Sequence, residues 1–166
     1  MEYYDFYQSP HGEMLLVAGD QGLAGVHFEG EKYYPQIAAA WKRDAQHPLL
    51  RQAKRELAEY FARERERFEI AIAPHGTAFQ RGVWDAISTV PFGETITYGE
   101  LARRVGSPSS VRAAGAATGR NPLTIIVPCH RIVGSTGSLT GYAGGLERKR
   151  ALLALESRTG DLLSAA

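Results

Sequence analysis

Short apolar runs alternate with polar residues through the first 30 positions, at Tyr3 to Tyr7, Met14 to Ala18 and Leu23 to Phe28. Ser9-Pro10-His11-Gly12 and Gly19-Asp20-Gln21-Gly22 separate them with turn chemistry, so the pattern predicts a β-meander. From Pro48 the period lengthens. Leu50, Ala53, Leu57 and Phe61 recur at helical spacing, predicting one amphipathic helix packed on that sheet. The mixed-sign stretch Arg63-Glu64-Arg65-Glu66-Arg67 reads as a solvated helix end or loop. Pro74-His75-Gly76 then reads as a short linker, giving domains at 1–74 and 75–166.

Beyond the linker the helical period continues. Phe79, Val83, Trp84 and Ile87 outline a helix ending before Pro91-Phe92-Gly93. Thr97 followed by Glu100 forms a capping-box signature for a helix through Tyr98, Leu101, Ala102 and Val105, closed by Gly106. Ser107 and Pro108 supply an N-cap and first-turn proline for a second helix reaching about Thr118. Two short helices joined through a glycine-containing turn predict a helix-turn-helix. The second carries almost no side-chain bulk, Ala113-Ala114-Gly115-Ala116-Ala117, with Arg112 a lone long cation near its start. Such a helix can pack tightly on protein or approach another surface closely.

Charge changes this picture. Residues 1–75 hold 9 Lys and Arg against 12 Asp and Glu, and residues 76–166 hold 10 against 6, so a near-neutral chain has a basic C-terminal part. That part is the candidate polyanion binder. Basic charge, helix-turn-helix and a nearby thiol together favour insertion of the thin helix into a DNA groove. No apolar run approaches the roughly 20 residues that cross a bilayer, and Met1-Glu2-Tyr3-Tyr4-Asp5 lacks the order of a signal peptide. The expectation is a cytoplasmic protein without membrane partners. A single cysteine allows no internal disulfide and agrees with a reducing compartment.

That cysteine is the candidate chemistry. Cys129 lies in Pro128-Cys129-His130-Arg131, between Ile125-Ile126-Val127 and Ile132-Val133, a pattern that predicts a buried strand delivering the thiol. Taken alone, a free cysteine reads first as a small core hydrophobe. The polar His130 and Arg131 inside an apolar stretch require partners or a task. A last helix from about Leu146 to Glu156 directs the Glu156 carboxylate toward its apolar side, where it pairs with a histidine or else with Arg148, Lys149 or Arg150 of its own helix. Cys, His and Glu together would form a relay, since an imidazole held by an acid lowers a thiol's pKa from about 8.5. In an extended segment Cys129 and His130 leave on opposite faces, so a bridging water is expected between them.

Pro128-Cys129-His130-Arg131 with Ile132-Val133, preceded by Asn121-Pro122 and followed by Gly137, Tyr142, Gly144-Gly145-Leu146 and Glu156, resembles the O6-alkylguanine-DNA alkyltransferases (methylated-DNA–protein-cysteine methyltransferases). The resemblance is specific over about residues 79–156 and looser over 1–75. It implies an α/β protein: a ribonuclease H-like sheet-plus-helix domain followed by a mainly helical winged helix-turn-helix domain. The implied activity is direct-reversal repair of double-stranded DNA, with a flipped O6-alkylguanine, and by extension O4-alkylthymine, passing its alkyl group irreversibly to Cys129. His130 matches the water-linked base, Glu156 the acid behind it, and Tyr98 the phenol that donates to guanine N3. Asn121 matches the residue holding the turn before the nucleophile. Arg112 matches the finger that fills the vacated stack, with Ser110, Ala113 and Gly115 beside it in the minor groove. Backbone groups of Cys129 and Ile132 would read the exocyclic amine, and Tyr142, Ala143 and Gly144 line the pocket.

Ala143 departs from the pattern, standing where many members have serine near the guanine oxygen. No cysteine precedes Cys129, so a cysteine-ligated zinc in the first domain is not expected, and His11, His27, His47 and His75 read as ordinary histidines. The implied protein uses no cofactor, is a monomer and acts once. Two rival readings fit the same residues: a lesion-binding alkyltransferase-like protein, whose known examples lack the cysteine, and a Cys-His-Glu thiol hydrolase. Residues 157–166 are expected to fray.

Overall fold

The computed structural model describes residues 1–157, so most of the expected frayed tail lies outside the described residues. The chain forms two compact units, one of residues 1–75 with Pro122–Thr124 and one of 76–121 with the remainder.

In the first unit, β1 (Tyr3–Ser9), β2 (Gly12–Ala18) and β3 (Leu23–Phe28) form the antiparallel meander. A strand that the sequence pattern did not signal, β4 (Lys42–Arg43), pairs parallel to β1 and completes the order β3-β2-β1-β4. Its two residues are too few to carry a period. Buried Asp5 binds it from β1, accepting from Arg43 Nε at 3.0 Å and from Lys54 of α1 (Pro48–Phe61). Helix α1 lays Leu50, Ala53, Leu57 and Tyr60 on the sheet, and its N-cap is His47, whose Nδ1 accepts from Leu49 N. Phe61, expected in that core, is only half-buried and sits 5.8 Å from the His11 ring.

The charged stretch after α1 is solvated as its pattern predicts, with Arg63, Glu64, Glu66 and Arg67 exposed and Arg65 half-buried. Arg65 folds back to donate to Glu59 at 2.9 Å and to the Arg67 carbonyl at 2.8 Å. Edge strand β3 is covered on its open side. Leu23 N donates to Ala71 O, Ala73 N to Leu23 O, Val26 N to Pro122 O and Thr124 N to Val26 O. The backbone of Pro122–Thr124 thus belongs to the first sheet although its sequence lies deep in the second half.

The second unit is helical. Helix α2 (Ala78–Ile87) starts with a full capping box between Thr77 and Gln80 and buries Val83, Trp84 and Ile87, whereas Phe79, expected on that face, is 41% exposed. Strand β5 (Ile96–Thr97) leads into α3 (Tyr98–Arg104). Only half of its predicted capping box forms: Thr97 Oγ1 accepts from Glu100 N at 3.1 Å, but the Glu100 carboxylate turns to Arg103 and Arg104. After Gly106, with φ of +79°, helix α4 (Val111–Gly119) begins later than Ser107-Pro108 predicts. Its N-cap is Ser110, which makes no side-chain cap bond. Strand β6 (Ile132–Val133) and α5 (Leu146–Glu156) complete the unit.

Candidate active site

The segment carrying the thiol is a built turn. Asn121 Nδ2 donates to Val127 O at 2.8 Å, spanning the loop that leaves α4. Within that loop Ile125 is buried with φ of +74°, a conformation that costs a β-branched residue about 1–3 kcal/mol and persists only where its surroundings impose it. Cys129–Arg131 then form one 3-10 turn, with Cys129 N donating to Val127 O and Arg131 N to Pro128 O. This corrects the expectation of a strand: the positive φ at Ile125 breaks the 125–127 run and a 3-10 turn follows Pro128, so the opposite-faces geometry does not apply. Cys129 is 7% exposed.

His130 and Arg131 find their partner in Glu156. His130 Nε2 lies 2.6 Å from Glu156 Oε2, while Arg131 donates through Nε to Oε1 at 2.7 Å and through Nη2 to Oε2 at 2.9 Å. Arg131 Nη1 also donates to Val90 O at 2.6 Å. Glu156 thus pairs with Arg131 of the turn, while Lys149 of its own helix donates to backbone carbonyls. Burial pushes the Glu156 carboxyl up, but the hydrogen bonds from His130 and Arg131 and the charge of the guanidinium outweigh it and carry it down to about 2. The fully buried imidazole of His130 is lowered from its ordinary value by desolvation, with Arg131 and Lys149 adding to the effect against the pull of Glu156. His130 is thus neutral facing an ionised carboxylate, which accepts only. Its proton must sit on Nε2, leaving Nδ1 as the basic nitrogen. Nδ1 is buried with no protein partner among the described residues.

Pairing of β5 with β6, Ile96 against Ile132 and Thr97 against Val133, sets the start of α3 beside the segment that follows the thiol. That register explains why Tyr98 and Cys129 interact electrostatically although 31 residues separate them. Burial raises the Tyr98 phenol above its ordinary range; a hydrogen bond with the Thr140 side chain opposes this, and negative charge developing on Cys129 would add to it. Tyr98 thus holds its proton near neutrality.

Lys149 is the member the sequence reading passed over. Fully buried, it donates to Ile132 O and Thr140 O at 2.7 Å each, and its Nζ lies 5.9 Å from the centroid of the Tyr98 ring. It ties the 140–141 loop to β6. The available signal was its spacing, since Leu152 and Glu156 follow at three and seven residues on one helical face.

Helix α4 turns Ala114, Ala117 and Thr118 inward and exposes Val111, Arg112, Ala113 and Ala116. Arg112 is exposed, Ser110 half-buried, and Gly115 faces Tyr98, whose ring carbons would lie 3.8–3.9 Å from a Cβ there. Ile132 is buried, and Tyr142, Ala143 and Gly144 are partly exposed in the turn before α5, where Gly145 N donates to Tyr142 O at 2.9 Å. Among the described residues no cluster of His, Cys, Asp or Glu could hold a metal ion.

Comparison with known proteins follows the same division. Residues 2–74 match the 6-O-methylguanine DNA methyltransferase ribonuclease-like domain, and residues 78–158 match the DNA binding domain of the same family. A methylated-DNA–protein-cysteine methyltransferase of Methanosarcina acetivorans is 46% identical over 154 residues, covering 93% of this chain and 97% of the relative. One from Haemophilus influenzae is 43% identical over 155 residues, covering 93% and 86%. Among solved structures, the Mycobacterium tuberculosis O6-methylguanine methyltransferase superposes with a TM-score of 0.82 at 40% identity, covering 94% of this chain and 93% of that one. A Mycobacterium tuberculosis structure in complex with DNA gives 0.84 at 40% identity, covering 98% and 99%. With both halves matched and relatives aligned over nearly their whole length, the chain belongs to the 6-O-methylguanine DNA methyltransferase family.

Proposed function

We propose that this protein repairs alkylated DNA by moving the alkyl group from guanine O6 onto Cys129, once per molecule. The observation that carries the mechanism is the basic Nδ1 of His130, buried beside the thiol-bearing turn and fixed in its tautomer by Glu156. Nδ1 takes the Cys129 proton through a bridging water. The sulfur attacks the alkyl carbon, the carbon–O6 bond breaks, and its electron pair leaves on guanine. Tyr98 gives its proton to guanine N3 and recovers one from the His130 side. In the sum, the thiol hydrogen goes to guanine and the alkyl group to sulfur.

The base must leave the duplex to reach a thiol this buried. Flipping costs a few kcal/mol of stacking and pairing, which Arg112, exposed at the start of α4, offsets by filling the gap. The exposed Ala113 and Ala116 let α4 enter a minor groove only about 6 Å wide. Ser110 and Gly115 flank that approach, and Ile132, Tyr142, Ala143 and Gly144 border the base. Asn121 holds the turn. The protein acts as a cytoplasmic monomer without a cofactor, on guanine O6 first and on thymine O4 by extension. No described helix is long and apolar enough to cross a membrane. Neither a lesion-binding role nor thiol hydrolysis gains a specific observation.

The test is incubation with a duplex containing O6-methylguanine followed by peptide mass mapping. Methyl for hydrogen on the peptide holding Cys129, in step with restored guanine, is expected. Restored guanine beside an unmodified Cys129, or turnover beyond one equivalent, contradicts the reading.

A further inference from the structure

Glu31 is buried in the first unit, its side chain only 2% exposed, and the transfer chemistry does not use it. A carboxylate is kept in such a place only with hydrogen-bonding partners. Its Oε1 accepts from Phe28 N at 2.7 Å and from Thr124 Oγ1 at 3.3 Å, and its Oε2 lies 3.1 Å from His27 Nδ1. The His27 ring rests over Gly25, where a Cβ would come within 3.0 Å of Nε2, so the ring has little room to move. Two of these partners belong to the end of β3. The third, Thr124, is 93 residues away in sequence and directly precedes Ile125.

Ile125 is the strained residue of the loop leading to Cys129, and the loop is held on both sides of it. Downstream, Asn121 Nδ2 and Cys129 N both donate to Val127 O. Upstream, Val26 N donates to Pro122 O and Val26 O accepts from Thr124 N, and Glu31 takes the Thr124 hydroxyl. Backbone strain of this kind survives only when its neighbours over-determine it. We infer that Glu31, steadied by His27, is a positioning residue for alkyl transfer: through Thr124 it holds the strained turn that sets the place of Cys129. Glu31 thereby contributes to the rate of the reaction without entering the transfer chemistry itself. The inference rests on Cys129 being the alkyl acceptor.

The test compares Thr124→Val, Thr124→Ser, Glu31→Gln and the Thr124→Val/Glu31→Gln double variant in the full chain. Single-turnover methyl transfer at saturating O6-methylguanine duplex, affinity for that duplex and thermal stability are measured for each. Transfer is expected to slow about tenfold in Thr124→Val and in Glu31→Gln, the scale on which small misplacements of reacting groups act. Duplex affinity stays unchanged, Thr124→Ser stays within about twofold of the parent, and the double variant is no slower than the slower single one. A parental transfer rate in Thr124→Val, or slowing that only tracks the folded fraction, overturns the inference. Failure of the parent protein to methylate Cys129 would instead overturn the proposed function.

Discussion

Helices α4 and α5 solve opposite problems with opposite residues. On α5 the groups that matter are large, charged and buried: Lys149 and Glu156 hold backbone carbonyls, an imidazole and a guanidinium. On α4 they are small and exposed, Ala113 and Ala116, with Arg112 standing out alone. Chemistry at a fixed sulfur needs every polar group committed to one geometry. Approach to a groove needs absence of bulk. Substitutions on α5 should therefore disturb folding and transfer together, and those on the open face of α4 should weaken binding, and the transfer that depends on it, without loss of stability.

The largest expected effect lies at the thiol itself. Cys129→Ser should abolish measurable transfer while leaving duplex affinity within about twofold, checked by repair assay and fluorescence anisotropy; retained transfer would remove the thiol from the account. Next comes Glu156→Ala. It leaves Arg131 buried without its carboxylate, so stability should fall by about 3–5 kcal/mol in denaturant unfolding, with transfer lost as well. Arg112→Ala should weaken binding of a lesion duplex about tenfold and slow transfer, with stability unchanged within about 0.5 kcal/mol. Equal losses of stability in the Glu156 and Arg112 variants would dissolve the contrast between the helices.

Acid provides a smaller, continuous test of the buried network. His130 has its folded value lowered, so protons favour the unfolded chain and stability falls as pH drops below the ordinary histidine value of 6.5. Glu156 adds a second loss as pH falls from the ordinary 4.5 toward about 2. Both act in one direction. Melting temperature should be flat near neutrality and decline on acidification, and the decline below pH 4.5 should shrink in Glu156→Gln.

Much of this was legible because it is local. Alternation gave the meander, and helical spacing gave α1, α2, α3 and α5. Composition revealed α4, and a motif marked Cys129, His130 and Glu156. What stayed hidden depends on distant backbone. Nothing in Ile125-Ile126-Val127 announces a positive φ, because the constraint comes from Asn121, Val26 and Glu31. Arg131 could not be assigned to Glu156 over the nearer basic residues of α5, since that choice depends on how the 3-10 turn faces the helix. Lys149 read only as a possible partner of Glu156 on its own helix, because its carbonyl partners at Ile132 and Thr140 lie on distant backbone.

The central claim is that His130 is a neutral imidazole protonated at Nε2, with Nδ1 kept basic for the Cys129 proton. Nitrogen-15 NMR of the histidine rings at pH 7 tests it directly. The account predicts that His130 shows a protonated Nε2 and an unprotonated Nδ1, a pattern lost in Glu156→Ala. An imidazolium at His130, or a proton resident on Nδ1, would contradict it.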